Sequence, residues 1–365
     1  MSPYHQLIAL IDKGVDQGVF PGAALLVSHK GKIIFHEGTG HTSLADQPSP
    51  VNEQTLFDLA SLTKPLATSL AFMKLVDMGR LHLDQPLSEL LPDRSLGEKE
   101  NITPRLLLCH SAGFEDWQPF YLQLEKFEPQ KRKQILRDKL LELPLLYTPG
   151  GKDLYSDLGF MMLEWIIEIS SKQSLNQFIQ DTIYKPLFLN NLFFIKANKP
   201  LTFNREMIAA TENCPWRKRT IQGEVHDENA YALGGFSGHA GLFGTAADIF
   251  RLASCLMDHY SGQKNDLFSP ETVRAFFTRQ DIAKGSTWAL GWDTPALTNS
   301  SSGKYFSPTS IGHLGFTGTS IWMDLEKEII VILLTNRVHP DRNNIKIREF
   351  RPMIHDQIME LILSS

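Results

Sequence analysis

Apolar residues change their period four times along this chain, and the changes outline its architecture. Near the N-terminus Leu7, Ile8, Ile11 and Val15 mark one face of a helix that Gly18 ends, with Ser2-Pro3 as its start signal. Residues 23–28 and 32–36 read as strands either side of His29-Lys30-Gly31, which makes a hairpin. Polar loop fills residues 38–53. From about residue 66 to 220 the spacing is mostly helical, broken by turns at Leu91-Pro92-Asp93, Thr103-Pro104, Leu143-Pro144 and Thr148-Pro149-Gly150-Gly151. Residues 161–169 are apolar except for Glu164 and Glu168, the pattern of a helix with one exposed edge. After residue 305 strands return at 310–315, 320–324 and 329–335, and a helix over about 345–363 closes the chain. Strands at both ends with helices between predict an α/β plus all-α fold. One sheet is built from both termini, and a helical subdomain (66–219) is inserted into an α/β subdomain (1–65 and 220–365).

Composition narrows the function classes. The 365 residues suffice for a large core, and 42% hydrophobic with 21% charged residues is the balance of an ordinary globular protein. A net charge of −5 speaks against a nucleic-acid partner. Lys131-Arg132-Lys133 and Arg217-Lys218-Arg219 are short, solvated clusters. Cys109, Cys214 and Cys255 are odd in number and widely spaced, so reduced, buried thiols are expected. No apolar run is long enough to span a bilayer. The N-terminus shows no basic segment followed by an apolar core, and a cytoplasmic protein is the expectation.

Three stretches carry candidate chemistry. The first is Phe57-Asp58-Leu59-Ala60-Ser61-Leu62-Thr63-Lys64-Pro65. If a helix begins near Ser61, the spacing puts the Ser61 hydroxyl and the Lys64 amine on one face, a candidate nucleophile and base. Pro65 suits the first helical turn, and Leu66, Leu70, Met73, Val76 and Met78 then carry the helix inward before Gly79 ends it. A capped helix with a solvated lysine would read the same. The second is the glycine-rich turn of Pro149-Gly150-Gly151 leading to Tyr155-Ser156-Asp157 at a helix start. A lysine ammonium beside Tyr155 would favour its phenolate and let it shuttle a proton, although Ser156 or Asp157 also serves as a plain N-cap. The third, Gly312-His313-Leu314-Gly315-Phe316, ends a predicted strand. A backbone N–H there could join that of Ser61 in holding an oxyanion, and a bulge or tight turn is the alternative.

In this order and spacing, Ser61-Leu62-Thr63-Lys64, Tyr155-Ser156-Asp157 and His313-Leu314-Gly315 resemble the motifs of the serine β-lactamase and penicillin-binding-protein family, in its class C-like branch. Leu106-Leu107-Leu108-Cys109-His110-Ser111-Ala112-Gly113, Tyr184-Lys185-Pro186-Leu187 and the segment from Ala240-Gly241-Leu242 to Ala247-Asp248 are similar to further family segments. The resemblance implies the β-lactamase-like fold, with an antiparallel sheet. It also implies acyl transfer, in which Ser61 attacks a carbonyl, Lys64 and Tyr155 manage its proton with His313 beside them, and the N–H groups of Ser61 and Phe316 hold the oxyanion. Asp157, Leu314 and Gly315 would then face the substrate. Neither a metal nor an organic cofactor is implied.

Two departures from the family pattern matter. Asp157 stands where Asn is usual, and a carboxylate near Lys64 would raise the amine's pKa, which favours Tyr155 as the working base. His313 and Leu314 replace the common Lys and Thr, which removes a cation and a hydroxyl from the strand end. The run His226-Asp227-Glu228-Asn229, followed by His239, lacks metal-ligand spacing and reads as a polar loop, and its resemblance to the same segment in a branch of these hydrolases implies that the loop borders the cleft. Gly235-Phe236-Ser237-Gly238-His239 narrowly misses a nucleophile elbow and is a loop. The reading is a serine hydrolase acting on a small ester or amide, with peptidoglycan-derived D-amino-acid peptides among the candidates. Its rivals are a non-catalytic sensor of cell-wall fragments and an acyltransferase on the same fold.

Overall fold

The structure, a computed structural model, describes residues 5–197, 199–201 and 203–364; Ser2-Pro3 lies outside them. Alternating apolar side chains in β1 (Gly22–His29) are buried on both faces, so this strand is central. It forms a hairpin with β2 (Lys32–Gly40), and Lys30 and Gly31 both take positive φ (+50° and +73°). Two such residues make the turn whose twist matches a hairpin, and glycine takes it without strain. The C-terminal strands β3 (Ile311–Leu314), β4 (Ser320–Asp324) and β5 (Ile329–Thr335) complete one antiparallel sheet in the order β2-β1-β5-β4-β3. Ala23 opposes Thr335 and His29 opposes Ile329, so the two chain ends are joined along a whole strand.

The period of two divides the core. Leu25, Val27, Trp322, Val331 and Leu333 pack under α1 (His5–Asp16) and the closing helix, whereas Ala24, Leu26, Ile321, Met323, Ile330, Ile332 and Leu334 face the helical layer. That layer includes α2 (Leu70–Asp77), α3 (Pro129–Glu142), α4 (Asp157–Ser171) and α5 (Ala246–Ser261); the closing helix is α6 (Ile347–Leu363). A three-stranded sheet of Phe57–Asp58, Leu242–Gly244 and Leu192–Phe194, not foreseen from the sequence, ties the segment before Ser61 to the helical layer.

Several local expectations change. Ser61 sits in a tight 3-10 turn (Ala60–Leu62), a wider π-type turn follows over Lys64–Ser69, and regular α-helix starts only at Leu70. Met78 lies at the frayed end and is exposed rather than inward. Glu164 is buried, not on an exposed edge: it accepts from Lys133 Nζ (2.6 Å), Ser237 Oγ (2.8 Å) and the Gly238 N–H (2.9 Å). An apolar helix tolerates that carboxylate because each of these donors reaches it.

Candidate active site

The backbone is strained one residue before the candidate nucleophile: Ala60 has φ +48°. A left-handed non-glycine residue costs roughly 1–3 kcal/mol and persists only where its surroundings over-determine it. They do so here. Asp58 accepts from the Ala60 N–H at 2.9 Å, while Thr317 Oγ1 donates to the Asp58 carbonyl at 2.7 Å and Thr319 Oγ1 to the Leu59 carbonyl at 3.1 Å. The loop after β3 is thereby stitched to the turn that presents Ser61. Gly315 is what permits this closeness, since a Cβ there would stand 2.0 Å from Thr319 Oγ1 and 2.6 Å from the Leu59 carbonyl. Ser61 and Phe316 consequently line one cavity of about 330 Å³.

Lys64 is fully buried, and its Nζ reaches Ser61 Oγ (3.1 Å), Asp157 Oδ1 (2.6 Å) and the His239 carbonyl (3.4 Å). Burial alone would push the amine down; the Asp157 carboxylate outweighs it and holds Lys64 above its ordinary value. Tyr155 lies with its ring 4.6 Å from Lys64 Nζ and keeps 37% of its surface open to the cleft. Its phenol is also raised, because burial together with Asp157 exceeds the downward pull of Lys64 and of the bonds from Lys64 and Ser61. That corrects the expectation of a favoured phenolate: Tyr155 and Lys64 are both shifted toward their protonated forms.

Asp157 and Tyr155 are freed for this role because Ser156 does the capping. Its Oγ accepts from the Gly159 N–H and donates to the Glu115 carbonyl, and its own N–H donates to His110 Nδ1 at 3.0 Å. His110 lies tilted against Tyr155 (4.6 Å between centroids) and edge-on to Trp288 (4.4 Å), and burial drives it well below the usual imidazole range. Pattern alone did not single out this neutral spacer under Tyr155. His313 is buried at the end of β3, 6.0 Å from the Tyr155 ring between centroids. Burial and the Lys64 charge push it down to about 3, so it is neutral, with Nδ1 donating to the Leu314 carbonyl at 2.8 Å and Nε2 unpartnered.

Each residue of His226-Asp227-Glu228-Asn229 fastens the opposite wall. The His226 N–H donates to Asp58 Oδ2 (2.6 Å) and its ring pairs with Glu212 (2.9 Å). Asp227 caps the Glu228–Ala232 helix and meets His239 Nε2 at 3.0 Å. Glu228 binds Arg342 at 2.6 Å, and Asn229 joins the Gln118 carbonyl and the Tyr121 N–H, both at 2.9 Å. Ligand atoms of Asp157, Asp227 and His239 lie within 4.8 Å of one another. In this structure Asp157 is bound to Lys64 and Asp227 to His239. Ser237 is spent on Glu164 and is no elbow nucleophile. Among the described residues no helix is long and apolar enough to cross a membrane.

Comparison with known proteins bears on the family and the fold. The Beta-lactamase family model matches residues 7–351. An Escherichia coli (strain K12) protein provisionally named D-alanyl-D-alanine carboxypeptidase is 33% identical over 366 residues, covering 92% of this chain and 82% of its own. The N-acetylmuramyl-L-alanine amidase of Bacillus subtilis (strain 168) is 32% identical over 358 residues, with 90% and 80% covered. Among solved structures, EstCE1, a hydrolase with promiscuous acyltransferase activity, superposes with a TM-score of 0.73 at 21% identity, covering 96% of this chain and 98% of its own; at that identity the likeness speaks for the fold.

Proposed function

Because the chain belongs to the Beta-lactamase family and is a serine hydrolase on that fold, we propose that Ser61 forms an acyl-enzyme with a small ester or amide, and that Lys64 and Tyr155 carry its proton as a coupled pair. The observation that carries this is the single amine, Lys64 Nζ, within hydrogen-bond reach of Ser61 Oγ and Asp157 with the Tyr155 ring beside it.

In the reactive form the pair has lost one proton, and the remaining proton belongs to both groups rather than to either. Ser61 Oγ attacks the carbonyl carbon as its proton passes to the pair. The tetrahedral oxyanion is held by the N–H groups of Ser61 and Phe316, a kind of contribution worth about 2.7–4 kcal/mol per donor. When the C–O or C–N bond breaks, the pair returns the proton to the leaving oxygen or nitrogen. Water then attacks the acyl-enzyme, gives a proton to the pair, and Ser61 recovers it. Neutral His313 offers Nε2 as an acceptor toward Tyr155 or substrate, and Leu314 and Gly315 form the strand edge along which the acyl chain lies. The names borne by the two relatives support fragments of peptidoglycan as the natural substrate class.

Ser61→Ala should abolish 4-nitrophenyl butyrate turnover and the mass adduct left by a fluorophosphonate or penicillin probe. Retained turnover in a folded Ser61→Ala protein would refute the proposal. Added alcohols or amines in the same assay separate hydrolysis from acyl transfer by their products.

A further inference from the structure

Past Ser61, Tyr155 and Phe316 the cleft widens into a cavity of about 570 Å³ that reaches the start of α6. Its far wall is cationic. Arg337, Arg348 and Arg351 all line it, and among the described residues none of the three forms an ion pair, whereas Arg342 on the same wall is bound to Glu212 and Glu228. Arg337 gives its N–H groups to backbone carbonyls: Nε to Phe316 (2.8 Å), Nη1 to Arg342 (2.8 Å) and to Asn344 (2.7 Å). Arg351 is 5% exposed, donates through Nη2 to the Thr319 carbonyl at 3.3 Å, and its Nε is unpartnered. Arg348 is exposed at the mouth. The N-terminal turn of α6 adds its own positive potential.

Buried cations are costly without a counter-charge, and among the described residues no carboxylate pairs with Arg337, Arg348 or Arg351. The carboxyl that lines the cavity, Asp293, accepts from Thr287 Oγ1 and the Thr294 N–H, and burial pushes it up to about 6. Burial, with neighbouring arginines adding to it, pulls Arg351 down to about 9 and Arg337 to about 10. The family's usual cation at the end of β3 is absent here, since His313 stands in its place. Positive charge in the cleft comes from the other side.

We propose that this wall is a subsite for a dianionic group of the substrate, a phosphate monoester or a pair of carboxylates, carried several bonds from the scissile carbonyl. A single carboxylate would leave two of the three cations uncompensated, whereas a dianion can take the Arg351 and Arg348 guanidiniums together. The proposal rests on Ser61 as nucleophile, because it assigns the group to whatever Ser61 acylates.

Three 4-nitrophenyl esters test it on the full chain: the neutral butyrate, the monoanionic hemiglutarate, and the dianionic ester of O-phospho-4-hydroxybutyrate. The ratio of kcat/KM for the phosphorylated ester to that for butyrate should be at least about tenfold and should exceed the hemiglutarate ratio. It should fall toward one in Arg348→Gln and with rising NaCl, and persist in Arg80→Gln, whose arginine binds the Ser170 carbonyl away from the cleft. Equal ratios for the three esters, or an advantage that survives Arg348→Gln, would overturn it. Arg348 is a surface residue, so its variant tests the idea even if Arg351→Gln does not fold. A second arm needs no chemistry: inorganic phosphate or tricarballylate should raise the melting temperature of the Ser61→Ala protein, and Arg348→Gln should erase that shift. Inert esters with a retained shift would count against Ser61 alone. An absent shift for both anions would count against the subsite.

Discussion

Replacing Asp157 by Asn puts the sharpest question to the proton-handling pair. The Asp157 carboxylate lies 2.6 Å from Lys64 Nζ and raises both Lys64 and Tyr155. Removing its negative charge favours the form that has lost a proton, so the apparent pKa of the pair must fall. A charge pair at about 4 Å is worth ~1 kcal/mol in water and ~4 kcal/mol at the effective dielectric of a protein surface. Asp157 is neither free nor sealed, with 17% of its side chain exposed. The shift is therefore bracketed at about one to three pKa units, at 1.36 kcal/mol per unit.

The readout is the pH profile of kcat/KM for 4-nitrophenyl butyrate between pH 6 and 11. Activity that depends on the deprotonated pair rises with pH, and the Asp157→Asn curve should follow the same rise about one to three units lower, giving ~10-fold or more extra activity at neutral pH. The Asn carbonyl still accepts from Lys64 Nζ, so a thermal melt should show the variant folded. A profile displaced upward, or a uniform loss of rate at every pH in a folded variant, would refute this account of Lys64 and Tyr155.

Other consequences are more local. Glu164→Ala leaves Ser237 Oγ and the buried Gly238 N–H without their acceptor, while Lys133 keeps Glu168 at 2.6 Å, and should cost about 2–3 kcal/mol in urea denaturation, the cost of stranding buried donors rather than an unpaired charge. Asp227 is held below the ordinary carboxylate range by His239, and His239 is held above the ordinary imidazole range by Asp227. The first contributes stability above about pH 3.9 that is lost in acid, the second below about pH 6.5 that is lost as pH rises, so the pair helps most between those values. Asp227→Asn should accordingly lower the urea midpoint more at pH 5.5 than at pH 9. His313, pushed down to about 3, should show no imidazole titration between pH 5 and 8 by NMR, and a midpoint near 6.5 would contradict its burial against Lys64.

Much of this molecule could be read from one dimension, and what could not has a common cause. Short apolar runs placed β4 and β5 at their observed ends, and Lys30-Gly31 located the hairpin, because strand runs and turn conformation are local properties. The spacing of Ser61 and Lys64 survived even though the segment folds as a 3-10 turn followed by a π-type turn, since three residues still bring Nζ to Oγ. Glu164 was misread because an acid in an apolar helix looks like an exposed edge until its partners, 31 and 73 positions away, are known. The balance at Tyr155 was missed for a similar reason: proximity to lysine suggests a lowered phenol, whereas burial is a tertiary quantity and here it prevails. Arg337, Arg348 and Arg351 carry no pattern at all. Only the return of α6 beside the cleft makes them one wall.

The deeper regularity is that the nucleophile, flanked by Leu59 and Leu62 in the core, is also held by polar fasteners. Asp58 receives the N–H of Ala60 and that of His226, so one buried carboxyl spans the turn before Ser61 and the wall across the cleft. Thr317 and Thr319 bring the strand-end loop to the same backbone, and Arg337 Nε holds the Phe316 carbonyl from behind, which orients the peptide unit following the proposed oxyanion donor. Each bond is worth on the order of 1 kcal/mol, and together they are of the size needed to keep Ala60 at φ +48° against a cost of about 1–3 kcal/mol. Loosening any one of them should therefore reach the chemistry before it reaches the fold: the core would stay packed while Ser61 relaxes away from Lys64 and Phe316.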